Sequence, residues 1–257
     1  MVKGLYTAYT GMLNQQNKMD VISNNLANAA VTGYKKEGST SQSFDTVLAY
    51  KIRDRSIGVH TQRIGGMNLG VKIGENYTDY TQGPFKNTDN TYDLAISGNG
   101  FFCVQFTNKA GVTSTKYTRD GSFTLNVNGY LVTKDGDYVL DNNGNRIRLD
   151  PLSTSRIDEN GTIFQNDRAV ARIGLRDFED YNYLEHYGEN YYQPVEGYRF
   201  KNADGQIIEG YLEASNVQVV QEMVEMISVT RTYESNQKVI QTIDSTLDKA
   251  VNQLGSV

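Results

Sequence analysis

The chain has 257 residues, 38% of them hydrophobic, and a formal net charge of −5. That is enough apolar material to bury a core in one or two domains, and the acidic balance argues against a general role on nucleic acid or anionic membrane. Cys103 is the only cysteine, which excludes an internal disulfide and any multi-cysteine metal site.

The charge is unevenly spread. Residues 1–36 carry Lys3, Lys18, Lys35 and Lys36 against Asp20, whereas 217–257 carry Arg231, Lys238 and Lys249 against Glu222, Glu225, Glu234, Asp244 and Asp248. The two ends therefore attract each other, weakly, through charges that salt screens. The start of the chain lacks the uninterrupted apolar core of a cleaved secretory signal, and no run of about 18 apolar residues is present to span a bilayer. If the protein leaves the cytoplasm, another export route is expected.

Residues 4–28 read as a helix. Leu5, Met12, Met19 and Leu26 recur every seven residues, with Tyr9 (or Ala8) and Ile22 between them, and Gln15 and Gln16 interrupt the seam with polar groups that favour one register. The helix is expected to stop near Asn28, ahead of Thr32-Gly33. Residues 35–75 contain Ser, Gly and Arg and show little periodicity, so an irregular stretch is expected, with Phe44–Ile52 as a short amphipathic segment and an extended, flexible or strand-like connection at Gly65-Gly66 and Gly70.

From about Val71 to Phe200 strand signals dominate. They are separated by Asp120-Gly121, Asn128-Gly129, Asp135-Gly136, Asn143-Gly144, Asn160-Gly161 and Asp204-Gly205, dipeptides that tolerate the positive φ of tight hairpins. An antiparallel meander is predicted. Phe178–Tyr198 is crowded with tyrosines, rings expected to pack over a sheet edge or to meet a partner.

The last stretch, Val217–Leu254, organises the chain. Val219, Met226, Tyr233, Ile240, Leu247 and Leu254 fall seven residues apart, with Met223, Val229, Ile243 and Ala250 or Val251 between them, and no Pro or Gly intervenes before Gly255. This is the apolar seam of a helix roughly 55 Å long, at 1.5 Å per residue, built to lie against other helices. The chain thus divides into an N-terminal assembly helix (1–34), an irregular stretch (35–75), a β domain (76–210) and a C-terminal assembly helix (211–257). The expected fold class is α+β: terminal helices paired as a coiled-coil-like stalk, with an antiparallel all-β domain inserted between them.

Ser23-Asn24-Asn25-Leu26-Ala27-Asn28 followed by Thr32-Gly33-Tyr34-Lys35 resembles the N-terminal signature of the bacterial flagellar rod and hook protein family. Asp93–Phe102, Tyr117–Phe123 and Asn128–Val132 resemble that family's β domain, and Glu213-Ala214-Ser215-Asn216-Val217, with Glu222, Met226, Arg231, Tyr233 and Asn236 after it, resembles its C-terminal signature. One departure is Val31, where the family commonly has Thr. Chain length and Arg63–Gly74, with Met67-Asn68-Leu69-Gly70-Val71, look most like a distal rod subunit; a proximal rod or hook subunit is the alternative.

The resemblance implies a structural protein that polymerises helically around an export channel. Implied partners are copies of itself, other rod proteins, the hook and the flagellar export apparatus, with no cofactor, nucleic acid or small-molecule substrate. The expected assembly interface is Leu5, Met12, Met19, Leu26, Asn25, Asn28, Val219, Met223, Met226, Tyr233, Ile240, Ile243, Leu247 and Leu254.

Enzyme readings are poor. Gly98-Asn99-Gly100 lacks a third glycine and is followed by two Phe. Asp141–Asn145 mimics a calcium loop, but its Gly is misplaced and Leu152 sits where the bidentate Glu belongs. His60 and His186 have no second His at ligand spacing. A glycan-binding β module using the Tyr-rich segment is the alternative from another class, and it leaves the helical seams without a purpose.

Overall fold

The computed structural model describes residues 2–44, 47–51, 62–188 and 190–254. They form two compact units, each built from separated pieces of chain. The first comprises Met1–Leu26, Glu37–Thr78 and Gln218–Val257; the second comprises Ala27–Lys36 and Asp79–Val217. No helix among the described residues is long and apolar enough to cross a membrane.

The first unit holds α1 (Val2–Ala27), β1 (Glu37–Ser43), β2 (Val47–Lys51), β3 (Gln62–Met67), β4 (Val71–Thr78) and α2 (Val219–Leu254). Both helices fall where the seven-residue spacing places them. They meet in antiparallel register. A Cβ added to Gly4 would touch Ile243 Cδ1 at 3.7 Å, one added to Gly11 would touch Asn236 Nδ2 at 3.1 Å, and Asn25 hydrogen-bonds Glu222.

Across 35–75, expected to be irregular with an extended, flexible or strand-like part at Gly65-Gly66 and Gly70, the described residues form a β ribbon. β1 pairs antiparallel with β4, from Glu37↔Thr78 to Ser43↔Val71, and β2 pairs with β3, from Val47↔Met67 to Lys51↔Gln62. Residues 52–61, including Ile52 of the expected amphipathic segment, lie outside the described residues. β1 escaped the sequence because its run Glu-Gly-Ser-Thr-Ser-Gln-Ser offers no core face, so alternation is absent there. β4 was legible as a strand, but its partner is β1 and not the β body. On this ribbon the Tyr77 ring lies over Gly38, covering the cross-strand position where no side chain exists.

The second unit is all-β. In chain order its strands are β5 (Phe85–Asn87), β6 (Leu94–Ser97), β7 (Phe101–Thr107), β8 (Thr113–Thr118), β9 (Phe123–Leu125), β10 (Leu131–Thr133), β11 (Tyr138–Val139), β12 (Ser155–Ile157), β13 (Thr162–Gln165), β14 (Arg168–Arg172), β15 (Leu175–Phe178), β16 (Leu184–Tyr187), β17 (Tyr191–Pro194), β18 (Phe200–Lys201), β19 (Gln206–Glu209) and β20 (Tyr211–Glu213). The main antiparallel sheet runs β16-β17-β8-β7-β11-β10-β9, with β15 joining β7 to β18. β12-β13-β14 form a separate meander, and β6 with β19 and β5 with β20 form two short ladders.

β7 is the axis of this unit because both of its faces are buried. Successive side chains point to opposite sides. Phe102 enters a core with Leu94, Phe123, Leu131, Val139, Ile163 and Ile207, while Phe101 and Cys103 enter a second one with Tyr117, Leu140, Phe178, Leu184 and Tyr192. The second core absorbs much of the Tyr-rich segment: the Tyr192 ring lies 5.4 Å from that of Phe101, and Tyr181 lies 5.8 Å from it. Burial pushes the Cys103 thiol up to about 12 and raises the Tyr117 hydroxyl as well. The suspected calcium loop is a turn: Asp141 Oδ1 accepts from the backbone N–H of Asn143 and of Asn145, each at 2.8 Å.

Candidate functional site

Two features stand out, one in each unit. The first is the pair of helix surfaces. Along α2, Glu222, Met226, Val229, Tyr233, Asn236, Ile240, Ile243, Leu247 and Ala250 are buried or half-buried at alternating four- and three-residue steps. That stripe faces α1. α1 is engaged on two sides. Ala8, Ile22 and Asn25 share the face of Gly4 and Gly11, while Thr10, Asn14 and Val21 are buried on a neighbouring face. There Asn14 Nδ2 donates to Ser41 Oγ at 2.9 Å, and Thr7 Oγ1 reaches Leu69 O.

The expected interface residues separate on this geometry. Leu5, Met12, Met19, Leu26, Met226, Tyr233, Ile240, Ile243 and Leu247 are half-buried within their own unit. Asn25 is 1% exposed and spends its side chain internally: it accepts from Glu37 N at 2.9 Å and donates to Glu37 O at 2.8 Å and to Glu222 Oε2 at 3.3 Å. Val219 and Met223, placed in the seam by their spacing, are exposed, because Glu222 takes the seam position opposite Asn25. Asn28 sits in the second unit, where its carbonyl accepts from Val31 N at 3.1 Å. The side chain of Leu254 lies outside the described residues.

Each helix also has an outer apolar face that the described residues leave uncovered. On α1 it is Tyr6, Tyr9 and Leu13, each 42–49% exposed. On α2 it is Val220, Met223, Val224 and Ile227, each 50–76% exposed. A helix with a second apolar strip outside its buried stripe calls for a partner beyond the one it already has.

The second feature is a buried ion cluster in the β unit. Lys35 Nζ donates to Glu213 Oε1 at 2.5 Å and to Thr81 O at 2.9 Å. Arg119 Nη1 donates to Glu213 Oε2 at 3.3 Å and Nη2 to Gly98 O at 2.9 Å. Gly83 N–H adds a bond to Glu213 Oε1 at 2.9 Å. All three charged side chains are buried. Burial lowers the Lys35 pKa from its ordinary value, against the opposing attraction of Glu213. The Glu213 carboxylate is filled by two cations and an amide. The cluster clamps chain segments together.

The backbone around it is equally constrained. Gly33 has φ +70°, its N–H donates to Glu213 O at 2.8 Å, and an added Cβ would collide with the backbone of Arg119 and Asp120. Thr32 Oγ1 donates to Asp120 Oδ1 at 2.7 Å, and Lys36 N–H donates to Asn216 Oδ1 at 2.7 Å. Thus Thr32–Lys35, Tyr117–Gly121 and Glu213–Val217, three stretches legible as signatures, converge in space. Sequence reasoning missed the roles of Lys35, Arg119 and Glu213. The available signal was a charge embedded in each stretch, with nothing to pair them across 94 and 178 residues of separation.

Three family models match: flagella basal body rod protein at residues 5–35, the flagellar hook protein FlgE/F/G D1 domain at 95–165, and flagellar basal body rod FlgEFG protein C-terminal at 208–254. They cover most of α1 with Lys35, much of the β unit, and α2. Among curated relatives, the flagellar basal-body rod protein FlgG of Buchnera aphidicola subsp. Schizaphis graminum is 34% identical, covering 97% of this chain and 98% of its own. FlgF of Caulobacter vibrioides is 36% identical over the full length of both chains, and FlgG of Bacillus subtilis is 34% identical over 98% of this chain and 99% of its own. The chain belongs to the flagellar basal-body rod protein family, and it is a structural rod subunit, not an enzyme.

Proposed function

We propose that this chain is a distal-rod subunit that polymerises head to tail into a torque-bearing tube, its terminal helices lining an export channel. The observation that carries the proposal is the pair of long helices whose inner stripes are satisfied while their outer apolar faces are open. Each buried Leu, Ile or Met contributes roughly 1.5–3 kcal/mol before ordering costs. Copies that meet through two different surfaces build an open assembly instead of a closed dimer. Packed side chains resist sliding, and that would let such a tube carry torque. The α1–α2 pair is read as the coiled-coil-like stalk, held together by the predicted seam, with its outer apolar faces left for neighbouring copies. Passage through the flagellar export apparatus belongs to the same proposal and rests on family membership.

The FlgG relatives support the distal position. A proximal subunit is the second reading, favoured by the FlgF relative at 36% identity. Imaging of concentrated purified protein is expected to show filaments; only monomers would overturn the assembly reading. Rescue of swimming in a strain lacking FlgG, and not in one lacking FlgF, is expected. The reverse pattern would overturn the distal assignment.

A further inference from the structure

The two outer apolar faces lie at different levels along the helix pair. Gly11 faces Asn236 and Asn25 faces Glu222, so Tyr6–Leu13 runs beside the middle of α2 and Val220–Ile227 runs beside the C-terminal end of α1. About fourteen residues of helix separate them, roughly 20 Å along the axis. On each helix the open face points away from the inner one. Tyr9 and Leu13 are two residues either side of Gly11, and Val220, Val224 and Ile227 each stand two residues before Glu222, Met226 and Val229. Two residues turn a helix by about 200°. One patch of a chain therefore does not cover the other.

We propose that the two patches are the halves of one contact between copies: the α1 face of Tyr6, Tyr9 and Leu13 seats on the α2 face of Val220, Val224 and Ile227 of the next molecule. This rests on the reading that the chain polymerises and names the surfaces that do it. Three observations select this pairing over a contact of like with like. Each patch spans eight residues, so the lengths match. One patch offers two large rings and a Leu, and the other offers a low ridge of three β-branched side chains, so knobs meet shallow holes. Charge also selects it. Lys3, one turn before Tyr6, is the charge nearest the α1 patch, and Glu225 is the exposed charge within Val220–Ile227, since Glu222 is turned inward. Like patches repel and unlike patches attract. The Phe44 ring, 6.4 Å from Tyr6, extends the α1 patch.

The test uses the full chain with Leu13→Asp and Ile227→Asp, both at exposed positions. Each variant alone is expected to stay monomeric at ten times the concentration at which the parent protein polymerises, with unchanged helical circular dichroism. Their equimolar mixture is expected to form dimers and nothing longer, because each contributes one intact half. Leu13→Cys mixed with Ile227→Cys is expected to give an intermolecular disulfide under mild oxidation, and neither variant alone is; the buried Cys103 does not compete. Polymers from both Asp variants, or a disulfide within either single Cys variant, would overturn the pairing while leaving assembly standing. A parent chain that never polymerises would overturn both.

Discussion

Asn25 and Glu222 stand 197 residues apart in sequence and meet at 3.3 Å, both 1% exposed, at one end of the α1–α2 stripe. The contact pins the register of two helices whose apolar steps repeat every seven residues. A slip by one heptad would keep the seven-residue spacing of the apolar steps and lose this polar match, which is how a buried polar group favours one alignment.

Asn25→Ala removes this side chain's bonds to the Glu37 amide and carbonyl and to the Glu222 carboxylate, and losing hydrogen bonds made by a buried side chain is costly. The first unit is expected to lose about 2–4 kcal/mol. Far-ultraviolet circular dichroism would show the helical transition moving to lower temperature, with the tyrosine near-ultraviolet signal of the β unit little changed.

Glu213→Gln removes the anion between two buried cations. Breaking a buried ion pair from one side costs about 3–5 kcal/mol. Urea unfolding followed by tyrosine fluorescence is expected to show this loss in the β unit, and an unchanged midpoint would refute the clamp. The same geometry sets fragment boundaries. Residues 76–210 lack both Lys35 and Glu213, so a 27–217 fragment with the ribbon replaced by a short linker is expected to fold more stably than 76–210.

Gly33→Ala places a methyl group against the backbone of Arg119 and Asp120 at a positive φ. Strain of this kind costs of order 1–3 kcal/mol before the collision is counted. A drop in melting temperature exceeding that of Gly136→Ala, which has open space around its Cα, would confirm that the collision matters.

Alkaline pH is expected to destabilise the β unit. Cys103 is raised from 9.0 to about 12, and Tyr117, Tyr181 and Tyr191 are raised above 10.0, in each case first by burial. Folding therefore favours their neutral forms. The resulting stability is intact below pH 9 and is lost as the unfolded chain releases protons that the folded chain keeps. Cys103 alone contributes a slope of at most ~1.4 kcal/mol per pH unit between 9 and 12. Equilibrium unfolding from pH 8 to 11 measures it, and a thiol reagent at pH 8 is expected to label Cys103 only under denaturant.

The helices were legible because burial repeats along one segment leave a period in that segment. Leu5, Met12, Met19 and Leu26 mark α1, and Met226, Tyr233, Ile240 and Leu247 mark α2, within two residues of the observed ends. Turn dipeptides likewise marked the hairpins of the β unit, where Asn128-Gly129 precedes β10 and Asn160-Gly161 precedes β13. β1 of the ribbon was not legible, since it reads Glu-Gly-Ser-Thr-Ser-Gln-Ser and carries no apolar face.

Local order, then, was written in the sequence: two long helices, a turn-rich β body, and the motifs that resemble a rod protein. Which residues share a buried site was not, because Lys35 with Glu213 and Asn25 with Glu222 are pairings across nearly the whole chain, and a polar residue in a linear pattern looks the same whether water or a distant partner satisfies it. The three-dimensional arrangement settled that choice. It moved Asn25 and Glu222 inside and left Tyr9, Val220 and Val224 outside, since burial depends on what the folded backbone brings opposite each side chain.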